Sequence, residues 1–269
     1  AGNPFATEGQ EVTFDVVFEN IGSEAVLGAD YSVEVMDTAG NVLGTIAGVD
    51  IDPATIDTLS VSFTPATADT ISIYGYVNFA GDADDSDNAT GEMEFIVLVD
   101  GTYVAQVGQD ETFPPSRVPY DFFYKNSASQ TIYTPAQLGI GGGVIGMLAY
   151  ENSFATDLSA GKPVKIWIGE TTEANMDNGW VDPSTLTLVY DDTLMLPAGV
   201  NTIPIMLETP YVYTGGNLVI YTYRVWEDEY YSSSDKFYGT EVPESNCTRR
   251  NSSDTEFPDD LSTVEGTVI

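Results

Sequence analysis

Histidine is absent from the 269 residues, cysteine occurs once, and lysine and arginine together number 8 against 42 aspartates and glutamates. Each scarcity removes a class of function. Without histidine there is no Ser-His-Asp triad, no Cys-His dyad and no ordinary zinc hydrolase site. The lone thiol, Cys247, allows neither an internal disulfide nor a thiolate metal cluster. A net charge of −34 repels phosphate, so nucleic acid is not expected as a partner, and an anionic membrane surface is disfavoured for the same reason. No run approaches 18 apolar residues, so insertion into a membrane by a helix is not expected either. The start, Ala1-Gly2-Asn3-Pro4, carries no signal peptide and reads as a mature or excised boundary.

The missing cations are missing unevenly. Residues 1–100 hold 19 acids and not one Lys or Arg; the first base is Arg117, and the remainder sets 23 acids against all 8 bases, a net of −15. A region without a cation cannot form a single internal side-chain salt bridge. Its acids must face water, counter-ions or a bound divalent cation, at the cost of self-repulsion that also keeps the chain soluble.

What is plentiful is strand signal. Hydrophobic residues make up 42% and aromatics 12%, enough for packed cores, and the length points to two domains. Val12-Thr-Phe14-Asp-Val16-Val-Phe18 alternates apolar and polar positions, as a half-buried strand must. Tyr31–Val35, Leu59–Phe63, Ile71–Phe79 and Met93–Val99 repeat the pattern between turn signals at Asn20-Ile-Gly22, Ala39-Gly-Asn41, Asp52-Pro53, Thr64-Pro65 and Gly81 to Gly91. This spacing predicts about seven short strands in the first hundred residues and an immunoglobulin-like sandwich. From Gly101 the candidate strands are Gln130–Tyr133, Val144–Tyr150, Pro163–Ile168, Leu186–Tyr190, Asn201–Leu207 and Leu218–Trp226, which suggest a jelly-roll or related sandwich with long loops at its ends. No 3.6-residue apolar stripe persists for three turns, so little helix is expected. The junction Val99-Asp100-Gly101-Thr102 lacks a Pro or Ser run, which predicts a fairly rigid pair.

Glu8-Gly9-Gln10-Glu11-Val12-Thr13-Phe14, Phe18-Glu-Asn20-Ile-Gly22, Asp37-Thr-Ala-Gly40-Asn41 and the loop from Asp82 to Asn88 before a last strand resemble CARDB-type adhesion modules. In that family an Asn-x-Gly ends the second main strand and an acidic or Asn-rich loop precedes the final one. Further on stand Tyr120 to Tyr124, Gln130-Thr-Ile-Tyr133, Gly139 to Gly143, Lys165-Ile-Trp-Ile-Gly169 and Pro210-Tyr-Val-Tyr-Thr-Gly-Gly-Asn-Leu-Val-Ile220. Together they are similar to a β-sandwich module common in large secreted or surface proteins of Bacteroidota and related phyla. The expected fold class is therefore all-β, with an immunoglobulin-like CARDB-type domain at 1–100 and a jelly-roll-like β-sandwich at 101–269. The resemblance implies an extracellular or cell-surface setting and supplies no ligand or reaction.

Several residue groups are candidates for sites. Asp82, Asp84, Asp85 and Asp87 with Asn88 place four carboxylates and an amide in seven positions, which suits the oxygen-rich shell of Ca²⁺ without matching an EF-hand; the alternative is a solvated acidic loop. Glu227-Asp-Glu229 with Asp191-Asp192 is a weaker metal candidate and reads first as surface charge. Trp226, Tyr230, Tyr231 and Tyr238 border a polar loop and are candidates for stacking on glycan rings, against core packing as the alternative. Tyr120, Phe122, Phe123 and Tyr124 are expected in the core. Thr38, Thr58, Thr70 and Thr193 each follow Asp and precede a small or aliphatic residue, the pattern of an O-glycosylation signal used by Bacteroidota. Asn88, Asn246 and Asn251 lie in N-x-Ser/Thr sequons. Cys247 reads as a structural thiol, and Gly141-Gly-Gly143 as a turn or close backbone approach.

The expected function is a non-catalytic extracellular adhesion or structural module, such as a filament or layer subunit, with no enzyme activity. Its partners would be other surface-protein domains, copies of itself or glycans. A carbohydrate-binding module of a secreted multidomain enzyme is the alternative.

Overall fold

A computed structural model describes residues 4–82, 84–108, 113–240, 242, 245–257 and 267–268. The chain divides into two compact units, 1–103 and 104–269, and both are built from strands.

In the first unit the strands are β1 (Phe5–Thr7), β2 (Val12–Glu19), β3 (Tyr31–Asp37), β4 (Val42–Ala47), β5 (Ile56–Phe63), β6 (Asp69–Phe79) and β7 (Met93–Leu98). One sheet runs β1-β7-β6-β3-β4, and β2 and β5 form the other. β1 lies parallel to β7, and the remaining pairs are antiparallel. That order is an immunoglobulin-like sandwich. Alternation sets which side chains meet: Val12, Phe14 and Val16 of β2 and Val61 and Phe63 of β5 point in, against Val33, Val35, Ile73 and Phe95. The Phe14 ring lies 5.8 Å from Phe63, stacked, and 5.3 Å from Phe95, edge-on. Gly48 has a packing reason, because a Cβ there would lie 2.3 Å from the Tyr31 ring.

β1 and β4 were not among the runs named from periodicity. β1 is three residues long, and β4 is an edge strand with mostly exposed side chains, so neither writes an alternating pattern.

The second unit holds β8 (Phe113–Ser116), β9 (Asn126–Tyr133), β10 (Gly143–Phe154), β11 (Leu158–Thr171), β12 (Thr187–Leu196), β13 (Gly199–Tyr213), β14 (Asn217–Arg224) and β15 (Lys236–Gly239), then β16 (Thr248–Ser253) and β17 (Thr267–Val268). The smaller sheet runs β13-β10-β15-β8 and the larger β12-β11-β14-β9-β16-β17. The first eight strands interleave between the sheets as a jelly roll, and β16 and β17 extend the larger sheet. One turn of helix, α1 (Pro135–Leu138), is closed by a capping box between Thr134 and Gln137.

β14 explains why this unit reads less clearly as alternating. Leu218 and Ile220 face the core between the sheets, with Phe122, Phe154, Ile166, Ile205 and Phe237. Val219, Tyr221 and Tyr223 face outward yet are buried too, beneath Met176, Trp180 and Val181 of the 172–182 loop. That loop is fastened by Gln130, whose Nε2 donates to Val181 O (2.7 Å) and whose Oε1 accepts from Val181 N (2.8 Å). A strand covered on both faces gives a continuous apolar run.

Candidate site at one end of the jelly roll

The β8–β9 connection (117–125) and the β14–β15 connection (225–235) emerge at the same end of the jelly roll and are bonded to each other. Glu227 N donates to Lys125 O (3.0 Å) and Tyr231 N to Phe122 O (3.1 Å). Asp235, buried, accepts from Ala155 N (2.8 Å), Thr156 N (2.9 Å) and Ser232 N (3.0 Å), which ties in the β10–β11 turn.

Under these loops sits an ion network. Arg224 ends the buried run of β14 and is fully buried, its guanidinium 5.0 Å from the centre of the Phe122 ring and 5.4 Å from that of Tyr231. It donates to the Tyr124 carbonyl and pairs with Glu227 at 3.0 Å. Burial pulls its pKa down, but Glu227 opposes that, and guanidinium stays charged in any case. Lys162 pairs with Glu227 (3.1 Å) and Glu229 (3.7 Å) and bonds the Tyr231 hydroxyl, which itself bonds Glu229. Burial pushes the Tyr231 phenol up, and Glu229 beside it pushes further. Tyr231 in turn, with Lys162, holds the Glu229 carboxyl below its ordinary range. On the flank, buried Asp121 receives Arg117 (3.2 Å), Ser252 Oγ (2.9 Å) and Phe123 N (3.1 Å). These charged groups are consumed by one another, so the loops rest on a stiff frame.

The four glycan candidates divide. Tyr230 is 58% exposed, with Lys125 Nζ 5.2 Å over its ring, and Lys125 also pairs with Asp228. Trp226 is half-buried on the same connection. Tyr231 belongs to the ion network and packs on the core. Tyr238 lies on β15 beside core-facing Phe237, so alternation turns it to the outer face of the smaller sheet, away from the loop end. The other aromatic cluster also divides: Tyr120 and Phe122 are core residues as expected, whereas Phe123 is 39% exposed and Tyr124 half-buried, both near the Arg117 guanidinium (5.1 and 5.9 Å). Phe123 and Tyr124 therefore join Trp226 and Tyr230 in bordering the loop end. Sequence reasoning missed them, together with Lys162 and Arg224. The available signal was a cation closing the apolar run Leu218-Val-Ile-Tyr-Thr-Tyr in a chain with 8 bases.

The remaining candidates lie elsewhere. In the acidic loop, Asp82, Asp84, Asp85 and Asp87 are exposed and Asn88 is half-buried. Asp84 accepts from Ser86 Oγ (2.6 Å) and Ser86 N (3.1 Å), which holds its carboxyl below the ordinary value. Among the described residues no three His, Cys, Asp or Glu side chains converge as a metal shell would require. Glu227 and Glu229 are engaged with Lys162, and Asp191 with Lys165 at 2.8 Å, so that second acidic group is resolved into ion pairs. Thr38, Thr58, Thr70 and Thr193 are all exposed, and Asp57, Asp69 and Asp192 each accept the backbone N–H of the threonine that follows (2.7, 2.8 and 2.7 Å). Of the sequon asparagines, Asn246 donates to Asp177 (2.6 Å) and Asn251 is half-buried on β16. Cys247 is half-buried with Sγ 3.8 Å from Thr248 Oγ1. The glycine run does meet another backbone closely: a Cβ on Gly215 would lie 2.7 Å from Gly141 O.

No family model matches the chain, and no curated protein matches it. Among solved structures it is similar to the CARDB domain of a Pyrococcus furiosus protein in complex with di-metal ions, at 16% identity and a TM-score of 0.30, over 37% of this chain and 88% of that one. It is also similar to the secreted serine protease VesC of Vibrio cholerae, at 8% identity and a TM-score of 0.23, over 94% of this chain and 50% of that one. The chain thus spans half the length of that protease. Likenesses of this strength carry no function across, and the all-β architecture stands on the chain's own strand pairing.

Proposed function

We propose that the chain is a non-catalytic extracellular adhesion or structural module that makes contact through its jelly roll. The observation that carries this reading is the loop end, where exposed rings sit on a frame of mutually paired charges. A catalytic acid, base or nucleophile must be free to move a proton or attack. Lys162, Arg224, Glu227, Glu229 and Tyr231 instead hold one another. The extreme acidity and single cysteine agree with an exposed setting, and the solvent-facing Asp-Thr positions 38, 58, 70 and 193 are proposed as its modification sites. The test is retention of the purified chain on cell-envelope preparations, with and without Tyr230→Ala. Equal retention by the variant would remove the loop end from the proposal.

Glycan binding is the second reading, favoured by the exposure of Tyr230 and Phe123 beside Trp226 and Tyr124. Aromatic faces cover the apolar C–H faces of sugars, and Asp228 and Lys125 stand ready for hydroxyls. Binding on a glycan array that disappears in both Trp226→Ala and Tyr230→Ala would select this reading. An array blank for the native chain would sink it.

A further inference from the structure

The two sheets of the jelly roll treat their outer faces differently. The larger sheet's outer face is roofed by Met176, Trp180 and Val181. Among the described residues nothing roofs the smaller sheet's outer face, although its rows are apolar. β10 and β13 pair Val144 with Val212, Met147 with Met206, and Ala149 with Pro204. Alternation points these away from the core, since Leu148, Tyr150, Ile203 and Ile205 between them pack inward. Val144 is 69% exposed, Val212 65% and Met206 49%. Contiguous apolar rows left in solvent mark an interaction face.

The same face carries charge of both signs, and Glu208 already stands beyond Met206 on the outward row of β13. Glu151 follows in the next outward position of β10, and Lys236 of β15 lies opposite Ser153. Among the described residues neither makes an ion pair, and Lys236 is the only Lys or Arg with no bonded or ion-pair partner. In a chain with 42 acids, an unpaired lysine beside an unpaired glutamate on an apolar face is self-complementary. An isologous contact brings Lys236 of each copy to Glu151 of the other. One edge of this sheet is β13, where Pro204 and Pro210 cannot donate to an added strand, so contact through the face is favoured over contact through that edge. β10 and β13 run together for about 40 Å, and β15 and β8 widen the sheet at one end to about 19 Å. The footprint is roughly 500 Å² per copy, the scale of a weak, reversible contact that buries less than about 1,200 Å² in total.

We propose that the outer face of the β13-β10-β15-β8 sheet binds the same face of a second copy of this chain, with Met206, Met147 and Val144 at the centre and Glu151–Lys236 pairs at the rim. The proposal rests on the structural-module reading and names its partner. The full chain should be measured by sedimentation equilibrium at about 0.5 M NaCl, where a screening length of about 4 Å suppresses the repulsion between two copies of net charge −34. Reversible dimers are expected, weakened at least tenfold by Met206→Lys and by Lys236→Glu, and restored when Glu151→Lys is added to Lys236→Glu. Both surface positions tolerate a charge without disturbing the core. A native chain that stays monomeric across its concentration range would overturn the proposal, and so would dimers indifferent to Met206→Lys or a double reversal that fails to restore them. Retention on cell envelopes is read in parallel with Met206→Lys. Retention by a native chain that forms no dimers would remove this inference and leave the adhesion reading standing.

Discussion

The two units solve one electrostatic problem by different means. The first has no Lys or Arg before residue 100, so its carboxylates turn to water and to backbone N–H groups. Asp50 accepts from Gly28 N (2.9 Å), Glu8 from Ala68 N (3.0 Å), and Asp37 from Asn41 Nδ2 and N (both 2.8 Å). Those bonds, the Asn41 side chain first, hold the Asp37 carboxyl below its ordinary value. The second unit owns every cation and buries some of them, with Arg224 and Lys162 beneath the loop end. The first fold is therefore shaped by apolar alternation alone, and the second also by charges that must be matched.

The sharpest way to break this comparison is to remove a buried charge. Arg224→Ala should cost about 3–5 kcal/mol in the second unit, because Glu227 and the Tyr124 carbonyl lose their donor and the space under Phe122 and Tyr231 is vacated. Urea unfolding with hydrogen exchange resolved by segment would confine the loss to residues beyond 104. Arg224→Met separates charge from volume. A cost below about 1 kcal/mol for Met would mean that packing and not pairing is what this end of the sandwich needs.

The same contrast explains how much was legible in the sequence. Val12 to Phe18 and Leu59 to Phe63 alternate because one face meets a core and the other meets water, and the first unit follows them closely. In the second, Leu218 to Tyr223 is apolar at nearly every position because the 172–182 loop covers the far face, and no local pattern announces a distant roof. β8, β15 and β16 were missed because four to six residues held by neighbours need no periodicity of their own. Of the loop end, Trp226 and Tyr230 were legible as aromatics beside acids. Their neighbours Phe123 and Tyr124 were not, because only the pairing of β14 with β9 brings segments about a hundred positions apart together. Tyr238 was misplaced for the converse reason: it is near in sequence but turned outward by the pleat.

A smaller effect tests whether carboxylates do the same work in both units. Glu170 closes the β13–β14 turn, accepting from Thr214 N (2.8 Å), Gly216 N (2.7 Å) and Thr214 Oγ1 (2.9 Å). Burial pushes its carboxyl up, but the N–H groups of Thr214 and Gly216 outweigh that and hold it below the ordinary value. A depressed carboxyl contributes stability above its unfolded pKa and loses it as pH falls through the folded one. Glu170→Gln should therefore cost about 1–2 kcal/mol at neutral pH and progressively less under acid conditions, where both proteins are neutral at this position. A pH-independent difference would assign the cost to geometry.

Sodium chloride should stabilise the first unit by a few degrees more than the second. Screening relieves repulsion among the 19 acids of residues 1–100 and raises the stability of that unit. In the second unit it also weakens Lys165–Asp191 and Lys125–Asp228, which are exposed and worth little, so the gain there is smaller or absent. Parallel shifts in both units would show that net charge, and not the placement of cations, governs the response.

The smallest expected effect is specific to the acidic loop of the first unit, and salt sharpens it. We propose that Ca²⁺ draws together Asp82, Asp84, Asp85 and Asp87, which stand exposed and do not converge as a metal shell in this structure, in a unit without a Lys or Arg. Weak extracellular sites bind at about 10⁻⁴–10⁻³ M, so about 2 mM Ca²⁺ should add roughly 0.6–1.8 kcal/mol to the first unit against EDTA. Run at constant high sodium chloride, the measurement is blind to general screening. A shift that survives there and vanishes in Asp82→Asn/Asp85→Asn means that the loop gathers its carboxylates around an ion, which would make calcium the missing cation of the cation-free unit. A shift that sodium abolishes means that the loop is solvated charge, and that this unit balances its acids with backbone N–H groups and water alone.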